Sequence, residues 1–165
     1  MASKKGIGVT IAFLVGIVAA SFLVYLIPED TTMKIIVSDF GKHLDITKEK
    51  TSMEAASIDE SFKKLMEQEL SPDEYIMIAD VSSRQIRSLV IELTNSGATE
   101  EWVESYVNYI GALKKLNEKI IETIVVANLM DDGANSDYIN EIITKIHQLE
   151  IEAADLITKS DTTRP

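Results

Sequence analysis

Ile7 to Ile27 read IGVTIAFLVGIVAASFLVYLI, 21 consecutive residues without a charge. Few structures suit such a run. As a helix it rises roughly 30 Å, the hydrocarbon thickness of a bilayer, and it satisfies its own backbone. The sequence therefore predicts a transmembrane anchor over 7–27. Lys4 and Lys5 precede it, and Pro28, Glu29 and Asp30 follow. That asymmetry places residues 1–6 in the cytoplasm and the rest of the chain outside the cell membrane. The rival is a cleaved signal peptide, for which Val18-Ala19-Ala20 supplies small residues. A cut there exposes Phe22 to Ile27, and the run is longer than an ordinary signal core. Gly8, Ala12, Gly16 and Ala20 recur every four residues. Such a stripe lets two membrane helices approach closely, so it is the expected packing face of a homo-oligomer. No ionisable residue interrupts the run, which argues against an ion or proton path.

The remainder is acidic. Residues 28–165 carry all 27 acids and 14 of the 16 Lys and Arg, a net charge of −13. Nucleic acid is excluded as a partner because its phosphates would be repelled. Cysteine is absent, so disulfides, Cys-zinc sites and thiol nucleophiles are not options. With 165 residues the chain suffices for one domain beyond the anchor.

The punctuation of that domain is helical. Ser71-Pro72-Asp73-Glu74 combines an N-cap, a first-turn Pro and a reciprocal Glu. Gly97 closes one helix, Thr99-Glu100-Glu101 opens the next, Gly133 closes that, and Asn135 or Ser136 opens the last. Apolar spacing agrees. Ile139, Ile142, Ile146, Leu149, Ala153 and Leu156 keep a three-four repeat, as do Tyr106, Ile110, Leu113, Ile120, Ile124 and Ala127, with Asn117 in the seam. Helices are predicted near 72–95, 99–131 and 136–158. Between 31 and 70 the apolar phase fits one helix or two, because Thr51-x-x-Glu54 and Ser57-x-x-Glu60 both read as capping boxes. Met33–Phe40 also fits a strand. The helix at 99–131 has the widest apolar face and should be the most buried. Asn117 is expected to act as a seam residue that fixes the packing. The predicted fold is all-α: a transmembrane helix, an antiparallel up-down bundle of about four helices over 28–158, and a flexible tail at 159–165.

Few residues suggest chemistry. Arg84 and Arg87 have forked donors suited to a carboxylate ligand, though Asp80 precedes Arg84 at the spacing of a surface pair. Trp102, Tyr106 and Tyr109 share one helix face, suited to a ligand pocket or to core. His147 beside Glu150, and His43 near Asp39 and Asp45, read as solvated histidines. Asp131 to Asp137 is acidic but lacks the spacing of a calcium loop. No metal, cofactor, nucleophile set or phosphate loop is expected, and the chain does not read as an enzyme.

The anchor followed by IVSDFGKHLD, Ile36 to Asp45, resembles small archaeal single-pass membrane proteins with helical exterior domains. That resemblance implies no activity. Lys4-Lys5-Gly6 before an apolar helix is similar to type IV pilin precursors, but Ile11 stands where bacterial pilins have Glu, and the domain reads all-helical. The expected function is non-enzymatic: protein interaction, scaffolding, or an accessory subunit of a membrane complex, the protein partner being unnamed by the sequence. The alternatives are an exterior ligand-sensing four-helix module and a pilin-like filament subunit.

Overall fold

The structure, a computed structural model, describes residues 37–165. The anchor at 7–27, with Gly8, Ala12, Gly16 and Ala20, lies outside the described residues, as does the Met33–Ile36 part of the alternative strand. Among the described residues there are four helices, and none is long and apolar enough to cross a membrane. They are α1 (Phe40–Met66), α2 (Pro72–Thr94), α3 (Glu100–Asp131) and α4 (Ser136–Thr162).

The caps explain the boundaries. Ser71 and Glu74 form the reciprocal box, with the Ser71 amide donating to Glu74 Oε2 at 3.1 Å. Asn135 caps α4 through the Asp137 amide. Thr99 holds the cap position of α3 without a side-chain bond, and Glu100 and Glu101 complement the positive end of the helix. α3 stops with Gly133 at φ +65, while the Gly133 and Ala134 amides reach back to Met130 and Leu129. α1 stops in the same way, but there Gln68 takes the left-handed position, at φ 59.

Residues 40–66 form one uninterrupted helix, so the capping motifs at Thr51 and Ser57 are not used. Thr51 is buried, and its hydroxyl donates to the Thr47 carbonyl one turn back at 2.8 Å. A satisfied hydroxyl has no need to start a new helix, and Leu44, Thr47, Thr51, Ile58 and Leu65 keep one buried phase throughout. α4 continues four residues past the predicted end at 158: Ser160 is buried against Ser105, whose hydroxyl donates to the Ser160 carbonyl at 2.7 Å.

Connections at 67–71, 95–99 and 132–135 are short, so sequence neighbours run antiparallel. The chain goes up, down, up, down. α3 is the hub: it packs on α1, α2 and α4, whereas the backbone of α4 approaches only α3. Tyr75, Leu93, Tyr106, Tyr109, Leu113 and Ile120 lie in the core. α3 has the most buried positions of the four helices. Yet Val103, Val107, Ile121 and Val125 of this helix point outward and are exposed.

Candidate functional site

The end of the bundle where α1 begins holds the densest polar arrangement. His43 projects from the first turn of α1 between α2 and α3. Its Nδ1 lies 2.9 Å from the Tyr106 hydroxyl and its Nε2 lies 2.9 Å from Glu92 Oε1. The Tyr106 hydroxyl donates to the Phe40 carbonyl at 3.0 Å. Both ring nitrogens are thus engaged, one toward α3 and one toward α2, with donor and acceptor roles that follow the tautomer. His43 is therefore not the solvated histidine expected from sequence; it ties three helices together.

Around it, Phe40 and Trp102 meet Tyr106 edge-on. Arg164 lies over the Trp102 ring, 5.8 Å from its centroid, and donates to the Gly41 carbonyl and to Asp45 at 3.3 and 2.5 Å. A Cβ on Gly41 would sit 3.1 Å from the Trp102 ring, so this approach suits glycine. The predicted Trp102–Tyr106–Tyr109 face thus exists as a packed stripe. Tyr106 and Tyr109 are buried, and Trp102 is half-buried beneath Arg164. Burial pushes the Tyr106 hydroxyl up to about 12 against the opposing Arg164 charge. Burial likewise pushes Tyr109 up to about 12, with Thr51 opposing.

A second polar node lies near mid-bundle. Lys119 is 5 % exposed, and its Nζ reaches Asp59 of α1 at 2.5 Å and Glu150 of α4 at 2.7 Å. Burial opposes its charge, but the two carboxylate bonds outweigh that, and the ammonium is raised above the ordinary lysine value. Burial would raise Glu150, but the Lys119 and His147 bonds prevail and lower it. Sequence reasoning missed Lys119. A signal existed: Ser105, Ala112, Lys119 and Val126 fall seven apart, and all four are buried.

Arg84 and Arg87 are exposed on α2, away from these nodes. The Asp80–Arg84 pair does not form through side chains; Arg84 Nε donates to the Asp80 backbone carbonyl at 3.1 Å. His147 is exposed and bonds Glu150 at 3.1 Å. Asn117 is half-buried, and its Oδ1 accepts from buried Ser83 of α2 at 2.8 Å. Among the described residues, no three His, Asp or Glu converge as metal ligands. Between α1 and α2 runs an open groove of about 420 Å³, lined by Lys50, Met53, Glu54, Gln85, Leu89 and Glu92 among others.

Comparison with known proteins finds no matching family model, no matching curated protein and no matching solved structure.

Proposed function

We propose that this chain is a membrane-anchored interaction module, held by residues 7–27 and presenting the acidic four-helix bundle outside the cell membrane. The observation that carries the reading is the outward face of α3. Val103, Val107, Ile121 and Val125 are exposed on the helix that otherwise forms the hub of the core. A surface that spends four β-branched apolar residues on solvent is suited to a protein partner. The role is non-enzymatic on this reading: the Tyr106 and Tyr75 hydroxyls, His43 and Lys119 are engaged in bonds that join helices. The net charge of −13 over residues 28–165 keeps the module soluble around its apolar stripe.

The test is photocrosslinking in cells, with benzoylphenylalanine in place of Val107 in the full chain. An adduct absent when the probe replaces Glu101, outside the apolar stripe, supports an interaction surface on α3. Absence of any adduct at Val107 removes the reading. Protease added to intact, wall-permeabilised cells checks the topology: the bundle is expected to be cleaved, and protection until lysis reverses the orientation.

A second reading, ligand sensing, has one observation in its favour. The α1–α2 groove adjoins Glu92 and hence the His43 node. A small molecule seated there would act directly on the contacts that fasten α1.

A further inference from the structure

The exposed stripe on α3 has an internal symmetry that names its occupant. Val103, Val107, Lys114, Glu118, Ile121 and Val125 are spaced by four, seven, four, three and four residues. At the helical repeat they stay within a strip about 60° wide. The strip falls between the α2 contacts of α3, at Asn117, and its α4 contacts, at Lys115 and Glu122. All six residues are exposed. The apolar positions are mirrored about Lys114: Val107 and Ile121 lie seven residues to either side, Val103 and Val125 eleven. A pattern that reads the same in both directions matches a second copy of itself laid antiparallel, the arrangement of a two-fold interface.

We infer that the bundle pairs with a second copy of this chain through α3, antiparallel, on a two-fold axis passing near Lys114. The inference rests on the interaction-module reading and supplies its partner. In this register Val103 faces Val125 of the other copy, and Val107 faces Ile121 of the other copy. Two Lys114 side chains meet at the axis, and charge complementarity resolves the conflict. Helical side chains lean toward their own N-terminus, so Lys114 leans toward Ile110. Ile110 is the position opposite Glu118 of the other copy. Each Lys114 thus reaches the other copy's Glu118, forming two symmetric pairs. Lys114 makes no ion pair among the described residues, whereas its neighbour Lys115 is already held by Glu118 and Glu152. Glu118 is bound through one oxygen only and has acceptor capacity left. A parallel pair would instead stack Lys114 on Lys114 and Glu118 on Glu118.

One helix face is smaller than the roughly 800 Å² per partner of a standard interface, so the pairing is weak and depends on concentration. Confinement to a membrane supplies that concentration.

The chain has no cysteine, so engineered thiols report without background. Full-length Val103→Cys and Val125→Cys chains, carrying different tags, are co-expressed, and isolated membranes are treated with a short bis-maleimide. The expected result is a mixed-tag crosslink between the two variants. Either variant alone gives none, because like positions lie roughly 33 Å apart along an antiparallel pair. Lys114→Cys alone is expected to link to itself. Glu118→Lys should reduce the mixed crosslink at least fivefold, and Lys114→Glu combined with Glu118→Lys should restore it. Self-linkage of Val103→Cys would show parallel pairing and overturn the inference. Absence of any link from all three cysteines also overturns it. If a Val107 photoadduct of some other mass then persists, the interaction-module reading stands with a different partner. If that adduct is absent as well, both fall.

Discussion

Replacing Lys119 by Met and, separately, by Ala distinguishes what its charge does from what its stem does. The ammonium is buried, but its partners are not: the Asp59 and Glu150 side chains are 52 % and 40 % exposed. Loss of Nζ leaves two carboxylates that water can reach, so neither becomes a stranded buried charge. Each pair with a half-exposed carboxylate contributes about 0.2–1 kcal/mol. Against this stands the cost of keeping an ammonium out of water, which Met removes. The net change for Lys119→Met is expected to stay below about 1 kcal/mol in either direction. Lys119→Ala also deletes three methylenes packed between α1 and α4, at about 0.8 kcal/mol each. It should cost about 2–3 kcal/mol, a fall in melting temperature on the order of 10 °C. Urea denaturation of the full chain in mild detergent, followed by the fluorescence of Trp102, the sole tryptophan, reads both values. The pH dependence supplies a second check. Glu150 is lowered in the folded state, so its contribution is present above the ordinary glutamate value near 4.3 and is lost as pH falls through the depressed one. Lys119 is raised, so its contribution is present below about 10.4 and is lost at higher pH. The Met variant should show shallower limbs at both ends. A Met variant as damaged as the Ala variant would refute the reasoning, because the charge and not the stem would then carry the node.

Gln68→Gly should raise stability by about 0.5–1 kcal/mol in the same urea assay, since Gln68 holds φ 59 at the end of α1; no gain would show the position to be unstrained. Asn117→Leu should cost about 1–2 kcal/mol by stranding the buried Ser83 hydroxyl, and adding Ser83→Ala should recover most of it; unchanged melting of the single variant would reject the pairing. The Tyr106 and Tyr109 phenolates should form at about 12, with stability falling as pH rises above the ordinary tyrosine range near 10. Ultraviolet titration checks this, and phenolate formation by both near pH 10 in a protein still folded by Trp102 fluorescence would contradict the burial.

The helices were legible because their signals are local. Ser71 with Glu74, Asn135, and Gly97 and Gly133 at positive φ are each decided within a few residues. The capping motifs at Thr51 and Ser57 show where local reading fails. The same hydroxyl that caps a helix start also bonds a carbonyl one turn back, and only burial against α3 decides between the two. The polar nodes were not legible for a related reason. His43 needs Tyr106 and Glu92, 63 and 49 residues away, and Arg164 needs Asp45, 119 residues away. No spacing rule within one helix brings such partners together, so charges near His43 in sequence, Asp39 and Asp45, drew attention in place of the groups that touch it.

For α3 the sequence and the structure disagree in a way that points to function. Hydropathy shows how much of a helix favours burial, and its neighbours determine how much is buried. α3 is apolar around most of its circumference, and three neighbours cover it, but the backbone of α4 approaches only α3, and the strip between the α2 and α4 contacts of α3 stays open. Lys119 and Val107 are the two sides of that mismatch. The lysine occupies an inward position because carboxylates from α1 and α4 are there to receive it. The valine occupies an outward position, 60 % exposed, with nothing in the bundle to receive it. An inward charge that is paired needs no further explanation. An outward apolar row, mirrored about a lysine with its glutamate one turn away, is accounted for once a second α3 is laid against it.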